Sequence, residues 1–210
     1  MRWSTAPWPG TIPRPAGKLD DRPVRPAERR PAQPPRHHRR RGARRCRADI
    51  TRARLLQVSE QAPPGEFDLA HLCRFHAGIF GDLYDWAGEL RTVDISKDTP
   101  FCPVQNLTTY AAEVFGRLAA ADRFRGLARG EVVRGVAELY GDINALHPFR
   151  EGNGRTQRAF LAELSRQAGW LINWAALGAE ENREASIKSF WGDNQPLKRM
   201  LDRMVSHEPS

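Results

Sequence analysis

Apolar residues recur at helical spacing along most of the chain from residue 48 onward. The most regular pattern lies within residues 131–146, where apolar side chains follow at intervals of four, three, four and three positions. This spacing predicts a helix with one buried face, formed by Val132, Val136, Leu139, Ile143 and Leu146. Because Pro148 disfavours helical conformation at the residue before it, the helix should end at His147.

Less regular apolar stripes predict further helices. They cover residues 67–80, 105–123, 155–168, 180–191 and 196–205. At the start of this region, Asp49 can cap a helix that contains Ile50, Leu55 and Leu56. The pattern as a whole predicts an all-α fold, a bundle of helices joined by short connections.

One stretch alternates in the way typical of a β-strand. In TVDIS, Val93 and Ile95 alternate with polar residues, and DTPFCP then supplies turn residues and two prolines. We interpret this stretch as a short β-hairpin between helices, although an irregular loop is the ordinary alternative. A hairpin here would expose an edge that can pair with another backbone.

Basic residues are concentrated at the front of the chain. The formal net charge is +8, but residues 1–47 hold 14 Lys+Arg and 3 Asp+Glu, whereas residues 48–210 hold 19 and 22. The larger part is therefore mildly acidic, which does not favour nucleic acid as its partner. Nine of the sixteen prolines also lie in residues 1–47. We therefore predict two parts, a basic Pro/Arg-rich segment at 1–47 and a globular domain at 48–210.

Residues 1–47 allow three interpretations. A stretch such as PPRHHRRRGARRCR buries too little surface to offset its ordering entropy, so a disordered tail is the plainest of them. A basic arm for nucleic acid or a membrane surface is the second. The third is a frameshift, because a GC-rich back-translation of residues 21–43, read one base later, permits a Thr-Asp-x-x-Glu helix start. In that case the segment stands in place of the first element of the domain.

Cysteine usage and hydropathy favour a cytoplasmic protein. Cys46, Cys73 and Cys102 form neither a CxxC pair nor an even framework, as expected of free thiols in a reducing compartment. No run of about 18 apolar residues predicts a membrane span. No apolar segment near the N-terminus predicts a secretory signal. We therefore expect a cytoplasmic location and no membrane partner.

The candidate chemistry is concentrated in residues 147–158, HPFREGNGRTQR. His147 can take a proton near neutral pH, and Glu151 is a hard oxygen ligand suited to Mg²⁺. A Gly-Asn-Gly turn follows and leads into the next helix, so backbone N–H groups and the helix dipole can hold an anion. Arg155 and Arg158 lie one turn apart and can face the same anion. Together these residues predict a phosphate or nucleotide site.

Each of these features also has an ordinary structural explanation. A histidine before a proline is usually structural, a Gly-Asn-Gly turn is usually only a turn, and an arginine pair is usually a solvated helix face. Their combination within twelve residues favours the phosphate site. Phe149 has no chemical role in it and should anchor the loop in the core.

The same twelve residues resemble the signature of the Fic family, HxFx(D/E)GNGRxxR, at every defined position. These positions are His147, Phe149, Glu151, Gly152, Asn153, Gly154, Arg155 and Arg158. The stretches FDLAHLCRFHAGIFGDLYDWAGELRTVDIS and ASIKSFWGDNQPLKRML are similar to the family's leading and closing helices, so the resemblance spans roughly residues 48–205. It implies a helical bundle with a small β-hairpin flap before the central helices.

The resemblance implies a protein adenylyltransferase, which transfers AMP from ATP to a hydroxyl side chain of a target protein and releases pyrophosphate. By that likeness His147 is the catalytic base and Glu151 holds Mg²⁺. The implied ATP-binding and phosphate-binding residues are Gly152, Asn153, Gly154, Arg155 and Arg158. The implied target-binding flap consists of Thr92, Val93, Asp94, Ile95, Ser96 and Lys97.

The resemblance also bears on regulation. Many Fic proteins carry an inhibitory helix with the motif (S/T)xxxE(G/N), and we find no match to it in this sequence. The resemblance therefore points to the FicT-like toxins, which are restrained by a separate small antitoxin protein. Toxins of that group modify DNA gyrase and topoisomerase IV.

The kinase-like branch of the family has a lysine at the second glycine of the motif, where this chain has Gly154, and this difference argues against that branch. One alternative to adenylyl transfer stays open. An inactive or degraded domain would serve only as a nucleotide-binding or protein-binding module. That outcome would follow if residues 1–47 replace the first element of the domain.

Overall fold

Helices make up most of the residues that the computed structural model describes, 37–96 and 101–207. In chain order they are α1 His37–Glu60, α2 Leu69–Phe80, α3 Leu107–Ala120, α4 Arg129–Leu146, α5 Asn153–Gln167, α6 Ala179–Phe190 and α7 Gln195–Asp202. Two short strands, β1 Trp170–Ile172 and β2 Val205–His207, pair antiparallel. The predicted all-α bundle is confirmed. None of the described helices is long and apolar enough to cross a membrane.

Helix α4 lies at the centre of the bundle and packs against α3, α5, α6 and α7. Its buried face contains every residue of the predicted stripe, Val132, Val136, Leu139, Ile143 and Leu146. The helix ends at Leu146, as Pro148 predicts, and His147 caps it in the left-handed conformation with φ 43°. The most regular apolar pattern in the sequence thus carries the candidate base at its C-terminal end.

Helix α1 begins much earlier than the apolar pattern predicted. It starts at His37, so Asp49 lies inside the helix instead of capping it. The reason is that no proline follows Pro35 until Pro63, and the intervening arginines, alanines and leucines are good helix formers. The helix buries Val58 on its inner face and leaves Leu56 60% exposed.

The predicted boundary between residues 47 and 48 lies inside α1. Residues 1–36 lie outside the described part of the chain. The division into a basic segment and a domain, the disordered tail and the frameshift therefore stay predictions.

The two described strands lie elsewhere than the predicted hairpin, and residues 97–100 of that hairpin lie outside the described part of the chain. The sheet that these strands form joins the segment after α5 to the end of the chain, with Trp170 opposite His207 and Ile172 opposite Val205. The described residues 92–96 form bends and one bridge at Ser96 instead of a strand. One physical reason is that the carbonyl group of Val93 accepts a hydrogen bond from the side chain of Arg91, 2.9 Å away, and so is taken from any strand ladder. The side chain of Val93 is 57% exposed.

Candidate active site

A cavity of about 890 Å³ lies where the C-terminus of α4, the N-terminus of α5 and one face of α6 meet. Every predicted site residue of the motif lines it, namely His147, Glu151, Gly152, Asn153, Gly154, Arg155 and Arg158. Of the predicted flap, Ile95 and Ser96 line the cavity and Thr92, Val93 and Asp94 do not. Lys97 lies outside the described residues. The fold thus brings the predicted binding and reacting residues of the motif and two flap residues around a single cavity.

His147 is held in a defined ring orientation. Its Nδ1 lies 3.3 Å from the carbonyl oxygen of Asn144, and its ring stacks on Phe101 with centroids 3.7 Å apart. A carbonyl oxygen can only accept, so the contact with Asn144 requires the proton on Nδ1. The basic nitrogen of His147 is then Nε2, which suits a group that must remove a proton from a ligand in the cavity.

Glu151 presents a carboxylate at the cavity, with its side chain 58% exposed. Its Oε1 accepts a hydrogen bond from the backbone N–H of Gly152 at 3.1 Å and contacts Nη2 of Arg155 at 3.2 Å. No group of three or more His, Cys, Asp or Glu within the described ranges could hold a metal ion. A single carboxylate fits Mg²⁺ all the same, because this ion usually keeps several waters and completes its shell with substrate phosphate oxygens.

The backbone of Glu151 is fixed by His76, which the sequence did not single out. His76 is fully buried in α2, and its Nδ1 accepts from the N–H of Gly88 at 2.8 Å. The ring proton must therefore lie on Nε2, which donates to the carbonyl oxygen of Glu151 at 3.0 Å. Burial lowers the pKa of His76, which keeps the ring neutral. The ring also stacks on Phe149, centroids 4.0 Å apart.

Phe149 and Asn153 shape the loop between α4 and α5. Phe149 is fully buried, as predicted for an anchor. The side-chain amide of Asn153 accepts from the N–H of Phe149 at 2.9 Å and donates to its carbonyl oxygen at 2.7 Å. Both polar ends of Asn153 are thus engaged with the loop itself. Its contribution to anion binding therefore lies in the loop shape and in its backbone N–H.

The N-terminus of α5 offers free backbone donors. The N–H groups of Asn153 and Gly154 donate to no acceptor among the described residues. Gly152 precedes them with φ +82°, and a Cβ there would lie 2.4 Å from Cε2 of Phe80. Only glycine fits this position, because it combines a left-handed backbone with contact against a ring. The result is an anion cradle of two N–H groups and a helix dipole.

The two motif arginines extend the cradle. The guanidinium of Arg155 lies over the ring of Phe80, 4.7 Å from its centroid, and pairs with Glu151. Arg158 is hydrogen-bonded to the hydroxyl oxygen of Tyr140 and forms no ion pair with a carboxylate of the described residues. Its charge is therefore available to an anionic ligand.

Helix α6 supplies a wall that the sequence did not predict. Asn182 accepts a hydrogen bond from the Tyr140 hydroxyl at 2.7 Å, and Arg183 pairs with Glu180 at 2.7 Å. These residues lie more than twenty positions beyond the motif, so no local pattern links them to it. Among the charged side chains that line the cavity, arginines outnumber carboxylates by four to two: Arg150, Arg155, Arg158 and Arg183 against Glu151 and Glu180. The cavity is thus basic in a mildly acidic domain, which favours an anionic ligand.

Comparison with known proteins gives the chain a family. The sequence model of the Fic/DOC family matches residues 66–165. The chain is 38% identical over 154 residues to the protein adenylyltransferase VbhT of Bartonella schoenbuchensis, covering 73% of this chain and 32% of that protein. It is 38% identical over 151 residues to "Probable protein adenylyltransferase y4lH" of Sinorhizobium fredii, covering 71% and 79%. The chain thus spans about a third of one relative and about four fifths of the other.

Comparison with solved structures leads to the same family as comparison of the sequences. BepC of Bartonella tribocorum with bound AMPPNP superposes with a TM-score of 0.74 at 22% identity, covering 80% of this chain and 87% of that one. The N-terminal Fic domain of a Bep effector protein from Bartonella quintana with bound ADP has a TM-score of 0.73 at 26% identity, covering 80% and 86%. The fold and the sequence together assign this chain to the Fic/DOC family.

Proposed function

We propose that this protein is a protein adenylyltransferase, which moves AMP from ATP to a hydroxyl side chain of a target protein. One observation carries the proposal: His147, Glu151 and the two motif arginines face a single basic cavity at the N-terminus of α5. The cavity volume of about 890 Å³ is in the range of small-molecule sites. The names of the relatives, protein adenylyltransferases, support the same activity.

The proposed reaction is an in-line displacement at the α-phosphorus of ATP. His147 Nε2 removes the proton of the target hydroxyl while its oxygen forms a bond to the α-phosphorus. The bond from that phosphorus to the oxygen bridging the α- and β-phosphates breaks, and pyrophosphate leaves. The cavity contributes mainly positioning and charge neutralisation, which dominate phosphoryl-type transfer.

The remaining residues have binding roles in this proposal. Arg155 and Arg158 hold the β- and γ-phosphates, and the N–H groups of Asn153 and Gly154 hold the α-phosphate. Glu151 would hold Mg²⁺, which supplies further neutralisation of phosphate charge when bound. The flap residues Thr92, Val93, Asp94, Ile95, Ser96 and Lys97 would bind an extended segment of the target.

A separate antitoxin protein is part of the proposal. The sequence contains no (S/T)xxxE(G/N) motif, and Arg158 forms no ion pair with a carboxylate of the described residues. An enzyme without an internal block needs restraint in trans if its product harms the cell.

The targets that we propose are DNA gyrase and topoisomerase IV, by family resemblance. Intact-mass analysis of co-expressed gyrase tests this, with a gain of one AMP expected and an unchanged mass arguing against gyrase.

Labelled ATP tests the activity itself. Incubation of the protein with a bacterial lysate, Mg²⁺ and ATP labelled at the α-phosphorus should label a protein band, whereas ATP labelled at the γ-phosphorus should not. His147→Ala should abolish the label while it keeps the increase in melting temperature that ATP causes. Equal labelling with wild type and His147→Ala would contradict the proposal. A thermal shift with ATP but no label in any lysate would favour a nucleotide-binding module.

A further inference from the structure

The C-terminal end of α4 is capped by the segments that flank the predicted flap. The last carbonyl groups of a helix have no partner within it and must find donors elsewhere. Here the N–H of Cys102 donates to the carbonyl oxygen of Ala145 at 2.9 Å. Arg91 contacts the next three carbonyl oxygens. Its Nη2 lies 3.4 Å from the carbonyl oxygen of Leu146, and its Nε lies 2.9 Å from that of His147. Its backbone nitrogen lies 2.8 Å from the carbonyl oxygen of Pro148.

The same guanidinium also donates to one carbonyl group in the flap and to one that follows it in the chain. Its Nη1 donates to the carbonyl oxygen of Val93 at 2.9 Å, and its Nη2 donates to that of Cys102. The side chain of Arg91 is fully buried, and within the described part of the chain Asp94 is the one carboxylate recorded beside it, at 3.7 Å. Its charge is therefore balanced mainly by carbonyl dipoles, including the negative end of α4. Only a planar group with several fixed donors can serve carbonyls on both sides at once.

The candidate base is joined to this arrangement twice. Its carbonyl group is held by Arg91, and its ring stacks on Phe101, which directly precedes Cys102. The N–H of Phe101 in turn lies 3.4 Å from the carbonyl oxygen of Ile95, which lines the cavity. The position of the His147 ring and the position of Ile95 in the flap therefore depend on the same set of contacts.

We propose that Arg91 is a positioning residue that holds the described flap residues 92–96 and the His147 imidazole in one fixed relation. Arg91 itself does not line the cavity, so its role in this proposal is to position other residues. It sets the distance between the bound target segment and the nitrogen that removes the proton. The proposal rests on the proposed function in so far as His147 acts as the base.

Arg91→Lys tests the proposal, because lysine keeps the charge and loses the fork of donors. The first measurement is the NMR signals of the His147 ring, assigned by their absence in His147→Ala. Arg91→Lys should displace or broaden the His147 signals and leave those of His71 unchanged. Arg117→Lys is the matched control, since it makes the same change in a partly buried ion pair with Asp142 away from the cavity. His147 signals at the wild-type positions in Arg91→Lys would overturn the proposal.

The second measurement separates positioning from a general loss of structure. The apparent rate constant for AMP transfer should fall roughly 10- to 100-fold in Arg91→Lys, as expected when a reacting group is misplaced by about 1 Å. The melting-temperature increase caused by ATP should stay as in wild type. An unchanged rate, or a loss of ATP binding equal to the loss of rate, would contradict positioning.

Two further outcomes need their own readout: a variant that does not fold, and a wild-type protein that transfers no AMP. If Arg91→Lys does not fold, Arg91→Gln replaces it, because its amide keeps a donor but not the fork, and it should displace the His147 ring signals in the same way. Unmoved signals in Arg91→Gln would overturn the proposal. If wild type transfers no AMP to any protein, the proposed function fails, and the ring signals alone decide whether Arg91 fixes His147.

Discussion

His76 Nε2 and the carbonyl oxygen of Glu151 lie 3.0 Å apart, although 75 residues separate them in the chain. The opposite nitrogen of the ring accepts from Gly88, so one neutral imidazole joins α2 and the loop before the flap to the motif. Its ring lies on Phe149, which anchors the same loop in the core. The backbone of the candidate metal ligand is thus fixed by a residue that does not itself line the cavity.

Substitution of His76 should therefore lower the free energy of unfolding. The loss should be smaller when the new side chain keeps a hydrogen-bond donor. His76→Ala leaves the buried N–H of Gly88 and the carbonyl group of Glu151 without partners, which should lower the free energy of unfolding by about 2–4 kcal/mol. His76→Gln keeps a donor near the position of Nε2 and should lose less. Urea unfolding of both variants checks this, and equal losses would argue against the hydrogen bond to Glu151.

Two glycines with similar backbone angles should respond differently to alanine. Gly152 and Gly169 have φ of +82° and +86°, but only at Gly152 would a Cβ meet a ring, 2.4 Å from Cε2 of Phe80. Gly169→Ala should cost about 1–2 kcal/mol for the left-handed backbone alone. Gly152→Ala should cost a further 1–3 kcal/mol, roughly, for overpacking against Phe80. Midpoints of urea unfolding compare the two, and equal losses would mean that Phe80 moves aside freely.

The sequence predicted the parts of the fold and site that depend on local pattern. The stripe on α4 and Pro148 together defined a helix and its end, and the seven motif residues predicted to bind or react, from His147 to Arg158, line one cavity. Arg91 and His76 were not found, because their partners lie 56 and 75 positions away. A signal for His76 was available, since it occupies a buried position of the α2 stripe, where a polar residue needs a specific partner.

The elements that differ from the sequence-based expectations have separate physical causes. The alternation at Val93 and Ile95 is typical of a strand, but strands need partners, and a nearby guanidinium occupies the carbonyl of Val93. The strands that do form, Trp170–Ile172 and Val205–His207, are three residues each, too short to show alternation. Helix α1 was placed too late because its first half lacks apolar residues, and helix propensity is invisible to a search for apolar spacing.

Glu138 should make stability depend on pH. It lies on α4 with Oε2 buried and without a hydrogen-bond partner among the described residues, and burial raises its pKa to about 7. Because the folded protein binds this proton more tightly than the unfolded chain, the stabilisation is full below the ordinary pKa of about 4.5 and is lost as the pH rises through 7.

Glu138→Gln removes this dependence, since its amide stays neutral. The variant should gain on the order of 1 kcal/mol over wild type at pH 8, after allowance for solvent screening, and much less at pH 5. Urea unfolding at the two pH values measures the gain. Glu113→Gln, exposed on α3, is the control and should show no such difference. A gain for Glu138→Gln that is equal at both pH values would contradict a buried, titrating carboxyl.

Glu151→Gln should remove the effect of Mg²⁺ on ATP binding. The wild-type carboxylate contacts Arg155 at 3.2 Å, so in the proposed function Arg155 would exchange this contact for phosphate oxygens and Glu151 would hold the ion. In wild type, ATP should raise the melting temperature more with Mg²⁺ than with EDTA. In Glu151→Gln the two increases should become equal, because the amide binds Mg²⁺ weakly and leaves Arg155 free for phosphate in both conditions. Glu113→Gln should behave as wild type, and a persistent Mg²⁺ effect in Glu151→Gln would show that the ion is held elsewhere.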